Sequence, residues 1–220
     1  VFSIDLDERF DVSLHADIET LDPMDLPWQP DIILASPPCE AFSVMTIGRN
    51  WTIGHEPKTD KAELAVRLVE ATTRLIEELE PKYFVIENPR AKLRKLPVVA
   101  GLDRVTVSYC QYGEPYMKPT DLWGGFPPSF EPRPICKPKA SCHASAARGS
   151  TTGIQGGTMR TKFRGEMIED MSKLYSTDPR RHALSALRAK IPAPLALAIC
   201  EAAERDFDLG RGSIAGTLGL

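Results

Sequence analysis

Two residues in the sequence combine a reactive group with a place suited to using it. Cys39 stands in Ser36-Pro37-Pro38-Cys39-Glu40-Ala41-Phe42-Ser43, directly after the apolar run Asp31-Ile32-Ile33-Leu34-Ala35. That run is short, continuous and β-branched with no polar alternation, which predicts a buried strand of a parallel sheet. Pro37 and Pro38 fix their own φ angles and keep Ser36 out of the helical region, so the chain reaches the thiol stiffly extended. A thiol just past a strand's carboxyl end suits a nucleophile, because ligands bind at that edge of open α/β sheets. The alternative is a small buried hydrophobe. Glu87 ends a second such run, Tyr83-Phe84-Val85-Ile86, and precedes Asn88-Pro89. In a parallel sheet it lies on the same edge as Cys39. Adjacent strands are about 4.8 Å apart, so a thiol and a carboxyl can flank one planar ligand.

The elements between them support that placement. From Asp60 to Glu80, Leu64, Leu68, Leu75, Ile76 and Leu79 recur at three- and four-residue steps with charges between, an amphipathic helix that Pro81 closes. Strand, helix, strand is a βαβ crossover. Further strands are expected at Val1–Asp5, which ends in an acid, at Leu14–Ile18, and at Val105–Cys110 before Tyr112-Gly113-Glu114-Pro115. Because a strand starts at the first residue with no turn before it, the chain is expected to open mid-domain. Helical patterning returns over Ala193–Phe207 after Ile191-Pro192, and the end from Gly210 reads as frayed.

With 220 residues, 42% hydrophobic and 26% charged, the chain can bury one α/β core with a smaller appendage. Five scattered cysteines, with no signal peptide or membrane-spanning apolar run, predict a reducing, cytoplasmic setting without membrane contact. A net charge of −3 argues against nucleic acid on average, but it conceals a patch. Between Pro132 and Arg164 stand seven bases, Arg133, Lys137, Lys139, Arg148, Arg160, Lys162 and Arg164, and no acid. Cys136-x5-Cys142-His143 invites a zinc reading. The spacing is not that of standard knuckles and no fourth ligand is evident, so no metal is assigned and zinc stays an alternative.

The ordered combination of short motifs resembles the cytosine C5-specific DNA methyltransferases. Pro38-Cys39-Glu40-Ala41-Phe42-Ser43 is similar to the family's nucleophile motif, with Glu40 where Gln is usual. Glu87-Asn88-Pro89, after Glu80-Pro81-Lys82, is similar to its Glu-Asn-Val motif. The segment from Tyr112 to Thr120 is similar to its Tyr-Gly-x-Pro-Gln-x-Arg-x-Arg motif, with Lys118 and Thr120 where arginines are usual. Ser3-Ile4-Asp5 and Ala16-Asp17-Ile18 resemble the segments that hold the ribose and adenine of S-adenosylmethionine. The Gly-rich first motif is not seen, nor is the Asn usual before the last helix. The resemblance therefore implies a compact, phage-like, N-terminally truncated member.

What the resemblance implies is a Rossmann-like methyltransferase fold of the α/β class, its first strand missing, and transfer of a methyl group from S-adenosylmethionine to cytosine C5 of double-stranded DNA. Cys39 would be the nucleophile, with Glu87, Asn88 and Lys118 beside it. Asp5, Asp17, Ile18 and Pro37 would bind the cofactor. The target base must be flipped out of the duplex to be reached. The loop from Met45 to Lys58, with Arg49, Trp51 and His55, would close over it, Trp51 being equally readable as an ordinary anchor. The acid-free segment then reads as target recognition, with Ser43, Arg49, Arg148, Gln155, Arg160 and Lys162 as DNA contacts; the alternative is a solvated insertion. The expected division is 1–120 catalytic core, 121–178 target-recognition segment, 179–209 C-terminal helix packing back on the core, and 210–220 flexible tail. A monomer is expected, with any restriction endonuclease partner undetermined. A homologue that binds DNA without catalysis, and a C5 pyrimidine methyltransferase acting on RNA, remain alternatives.

Overall fold

The computed structural model describes residues 1–44, 46–114, 116–137, 140–143 and 190–217, together with the backbone of 161–163 and 166–168; the side chains of 209–217 are not described. Of the recognition residues named above, Arg148, Gln155 and Arg160 lie outside the described residues, as does the side chain of Lys162. By internal contacts the chain divides into Val1–Arg104 with Leu122–Gly125, and Val105–Asp121 with Phe126–Leu220.

In the first unit, β1 (Ile4–Asp5) pairs in parallel with β2 (Leu14–His15), placing Asp5 opposite His15. The strand β3 (Ile32–Ala35) pairs in parallel with β4 (Tyr83–Pro89), Ile32 opposite Tyr83 and Ala35 opposite Ile86. The crossover between them is the helix α2 (Asp60–Leu79), which follows the four-residue α1 (Ile47–Asn50). The ends of α2 are set locally. Thr59 accepts from the Ala62 amide, Asp60 and Glu63 lie in the first turn, and Glu80 adopts a left-handed C-cap conformation at φ 43° ahead of Pro81.

Two expectations shift in this unit. Among the described residues β3 is an edge strand, half-buried, with Leu34 41% exposed, so its apolar run is not covered on both faces. The inner face of α2 is formed by Ala62, Ala65, Val69, Thr72, Leu75, Ile76 and Leu79, while Leu64 points outward. Much of the buried face is thus alanine, valine and threonine, which leucine spacing alone does not reveal. The core they share includes Phe42, Trp51, Ile86, Leu93 and Trp123. A second cluster seats β2 on the far end of α2 through Leu21, Leu75 and Leu79.

Of the strand β6 (Pro119–Gly125), Pro119–Asp121 belong to the second unit and Leu122–Gly125 to the first. In the first unit its Leu122–Gly125 half lies next to β4. Gly124, at φ 151°, leaves no room for a side chain: a Cβ there would sit 2.0 Å from the Phe84 carbonyl oxygen.

In the second unit β5 (Arg104–Ser108) neighbours the Pro119–Asp121 half of β6. Asp121 is fully buried in the strand, where its carboxylate accepts a 2.7 Å hydrogen bond from Thr106 Oγ1. After β5 a single 3-10 turn, Tyr109–Tyr112, ends at Gly113 in the left-handed region, φ 99°. The strands β7 (Thr161–Phe163) and β8 (Glu166–Ile168) form an antiparallel pair. The helix α3 (Ala193–Thr217) buries Leu195, Ile199, Ala202 and Ala203 and is tied by Asp206, whose Oδ2 accepts from the Ser129 amide at 3.0 Å. It continues to Thr217 through Gly210, Gly212 and Gly216, where a flexible tail was expected, although each glycine costs a helix about 1 kcal/mol. Among the described residues no helix is long and apolar enough to cross a membrane.

Candidate active site

The register of β3 and β4 decides where the two reactive groups stand. Ala35 pairs with Ile86, so Glu87 is one residue beyond the pairing on β4, and Cys39 follows β3 by four residues. Both lie at the carboxyl edge of one parallel pair. Asn88 joins the strands there: its Nδ2 donates a 3.0 Å hydrogen bond to the Pro37 carbonyl, across 51 residues of sequence. Pro37 is buried by this contact while Pro38 stays exposed.

On its other side the loop is held by Phe42. The Cys39 carbonyl accepts from the amides of Phe42 and Ser43, both at 3.1 Å, which turns the chain and drives the Phe42 ring into the core. The Phe42 carbonyl in turn accepts from the Lys92 amide at 3.1 Å. Cys39, half-buried, is thus presented on a turn anchored before and after it. Glu40, where the motif usually has Gln, is exposed and pairs with Lys61 in the first turn of α2.

Glu87 is only 5% exposed and Asn88 is fully buried. Among the described residues Asn88 Oδ1 is a buried acceptor with no hydrogen-bond partner. Such an atom costs about 1–3 kcal/mol when left unpaired, so it marks a place where a bound group can contribute a donor.

Trp51 is not free to close over a ligand. It is 3% exposed, stacks on Phe42 at 5.6 Å between centroids, and donates its indole N–H to the Ala41 carbonyl at 2.8 Å. It is neither a lid residue nor a surface anchor but part of the buried core, from which it holds the loop. Lys92, which motif spacing does not single out, completes this wall. Its ammonium lies 5.1 Å from the Trp51 ring centroid and 2.8 Å from His55 Nδ1, and burial lowers its pKa. His55 holds φ 74°, so the strained residue of this loop is the one that Lys92 grips. Arg49 is exposed and Ser43 half-buried.

Asp5 and Asp17 stand at the carboxyl ends of the β1–β2 pair. Asp5 is exposed and its Oδ1 accepts from the Asp7 amide at 2.8 Å; Asp17 is half-buried, beside half-buried Ile18, and its Oδ1 accepts from the Glu19 amide at 2.9 Å. Both carboxylates are held in shape by their own loops. Arg74 on α2 fixes the same segment by donating to the carbonyls of Ile18 and Leu21, each at 3.2 Å.

The second unit, taken by itself, holds Lys118 at φ 21° with its ammonium 4.3 Å from the Tyr109 ring centroid. Burial is the main cause that pushes the Cys110 thiol up to about 12, and it also raises Cys136 and Cys200. Thiols held neutral in this way make poor nucleophiles.

The sequence pattern of C-5 cytosine-specific DNA methylases matches residues 6–95, the stretch that contains Cys39, Glu87 and Asn88. A protein of Frog virus 3 (isolate Goorha) named "Probable DNA (cytosine-5)-methyltransferase" is 30% identical over 151 residues, 61% of this chain and 69% of the viral protein. The chain belongs to the C-5 cytosine-specific DNA methylase family. A solved E. coli structure named "putative DNA modification methyltransferase encoded within prophage" shares 19% identity with a TM-score of 0.38. That alignment covers 60% of this chain and 44% of the other, and the likeness is too low to carry an argument.

Proposed function

We propose that this chain acts as a DNA (cytosine-5)-methyltransferase, with Cys39 as nucleophile and Glu87 as its acid–base partner. The observation that supports the reading best is the Asn88–Pro37 hydrogen bond. It pins the Cys39 loop to the strand that carries Glu87, so thiol and carboxyl keep one geometry across the sheet edge. Cytosine C5 is a weak nucleophile. Addition of the Cys39 thiolate to C6 forms a carbon–sulfur bond and moves the ring electrons onto C5. Glu87, sharing a proton with the ring N3, draws off the charge that this attack develops. Asn88 positions that carboxyl. Lys118 keeps a role at the base on the strength of its motif position alone.

S-adenosylmethionine, when bound, supplies the electrophilic methyl group. The residues fit it. Asp5 and Asp17 present carboxylates at the end of β1–β2, suited to the hydroxyl and amino donors of a nucleoside, with Ile18 as the apolar neighbour; Pro37 keeps its cofactor role on the strength of its motif position alone. Once C5 carries the methyl group, transfer of the C5 proton to solvent would break the carbon–sulfur bond and return Cys39 as a thiolate. Ser43 and Arg49, and the residues 132–164, are assigned to the DNA.

Duplex DNA carrying 5-fluorocytosine tests this reading, because fluorine cannot leave as the proton does. Incubation with S-adenosylmethionine is expected to give a denaturant-stable protein–DNA adduct, with Cys39 as the modified residue by peptide mass mapping. An adduct at another cysteine, or methyl transfer to cytosine with no adduct ever trapped, overturns it. Glu87→Gln keeps the size of the side chain and removes its proton chemistry. Single-turnover transfer is expected to slow by roughly 10²–10⁴-fold, with DNA affinity by gel shift retained. A loss below tenfold would remove Glu87 from the chemistry.

A further inference from the structure

The second unit brings four ligand atoms together from three places in the chain. Cys110 lies in the 3-10 turn after β5, Cys136 in the extended segment after α3's partner Ser129, and Cys142 and His143 in the following turn. The three sulfurs and the His143 ring nitrogen all lie within 4.8 Å of one another. Cys142 Sγ is 3.1 Å from Cys136 Sγ and 3.8 Å from Cys110 Sγ. His143 Nδ1 is 3.4 Å from Cys136 Sγ and 3.5 Å from Cys142 Sγ.

Those edges can be compared with a metal's requirements. Zinc–sulfur bonds of about 2.3 Å and zinc–nitrogen bonds of about 2.0–2.1 Å at tetrahedral angles set sulfur–sulfur edges of about 3.8 Å and sulfur–nitrogen edges of about 3.6 Å. A disulfide does not describe the cluster: all five cysteines are free, and a bonded pair would be about 2.05 Å apart. We propose that Cys110, Cys136, Cys142 and His143 form a structural zinc site, bound through three sulfurs and His143 Nδ1.

The surroundings suit that ligand set. Cys110 and His143 are buried, and Cys136 is 9% exposed. Gln111 Nε2 points a donor at Cys142 Sγ at 3.2 Å and at Cys110 Sγ at 3.9 Å, a contact that favours thiolates. Ser108 Oγ accepts from the Cys136 amide at 3.0 Å and so sets the backbone before the metal arrives. Binding displaces the three thiol protons to solvent and leaves zinc, three thiolates and a neutral imidazole with a net charge of −1. Four protein ligands fill the tetrahedron and leave no position for water, so the ion is structural. It ties Cys136 and the Cys142–His143 turn to the end of β5, adding to the small apolar cluster that Cys110 and Cys136 form with Met117 and Ala140.

Metal content tests this without reference to activity. The 220-residue chain, purified under reducing conditions without chelator, is expected to carry about one zinc per chain by plasma mass spectrometry. Cys142→Ser and His143→Ala should lose most of it, while Cys39→Ser and Cys200→Ser keep it. If the variants fail to fold, cobalt added to reduced, metal-stripped wild-type chain should give the visible bands of a tetrahedral thiolate site at one equivalent. Undiminished zinc in Cys142→Ser, an octahedral cobalt spectrum, or a Cys136–Cys142 disulfide with no metal in the reduced preparation overturns the proposal. Stoichiometric iron in place of zinc overturns the choice of ion.

Discussion

Cys39→Ser is expected to lower methyl transfer by at least about 10⁴-fold, equivalent to about 5.4 kcal/mol of barrier, and to abolish the 5-fluorocytosine adduct. A serine hydroxyl is scarcely ionised at neutral pH and is a far weaker nucleophile toward C6 than a thiolate. Attack there is the step that makes C5 reactive. The substitution changes little else. Cys39 is half-buried, and the substitution keeps the groups described as holding its loop: its own carbonyl on the amides of Phe42 and Ser43, Asn88 on the Pro37 carbonyl, and Phe42 in the core with its carbonyl bonded to the Lys92 amide. Thermal stability and DNA affinity should therefore stay close to wild type. Transfer of a labelled methyl group from S-adenosylmethionine to DNA, measured beside a melting curve, checks both parts. A serine variant that keeps more than a few per cent of the rate would show that sulfur addition is not on the path. A variant that loses rate only because it unfolds would leave the adduct assay on wild type to decide.

Gly124→Ala carries the largest expected effect on stability. Its Cβ would lie 2.0 Å from the Phe84 carbonyl oxygen and 2.9 Å from the carbonyl carbon, and φ 151° disfavours any side chain. The atoms in the way are backbone atoms of β4, which cannot rotate aside as a side chain could. Relief requires moving β6 off β4, the strand that carries Glu87 three residues further on. A loss of about 4 kcal/mol or more follows, which lowers the melting temperature by roughly 10 °C for a chain of this size. Gly101→Ala is the control, because a Cβ there meets nothing within 4 Å. A melting temperature for Gly124→Ala within about 2 °C of wild type would mean that the two strands separate at little cost. Methyl transfer in this variant should fall with the folded fraction, in contrast to Cys39→Ser.

What the sequence by itself determined is the part governed by neighbours along the chain. Consecutive prolines before Cys39, Asp60 at the start of α2, Pro81 after it, and the runs at Ile32 and Tyr83 predict a βαβ unit with Cys39 and Glu87 at one edge, and the structure has that unit. Capping, proline geometry and apolar runs act over a few residues, so they can be read locally. The family was legible for the same reason, since its motifs are short and their order is linear.

Only the tertiary structure decided the rest. That Trp51 belongs to the buried core, and that Lys92 grips His55, depends on contacts between residues 37 to 41 positions apart or on burial that no local pattern encodes. Leu64 looks as apolar as Leu75, yet Leu64 is 40% exposed while Leu75 is buried in the cluster with Leu21 and Leu79. Cys110 reads as the last residue of a strand. It stands within 4.8 Å of the ligand atoms of Cys136, Cys142 and His143 because β5 ends in a tight turn beside a segment that arrives from further along the chain. Side chains distant in sequence meet only when the whole chain has paid the entropy of closing the intervening loops, and that outcome is set by the sum of the packing, not by any stretch of residues read alone.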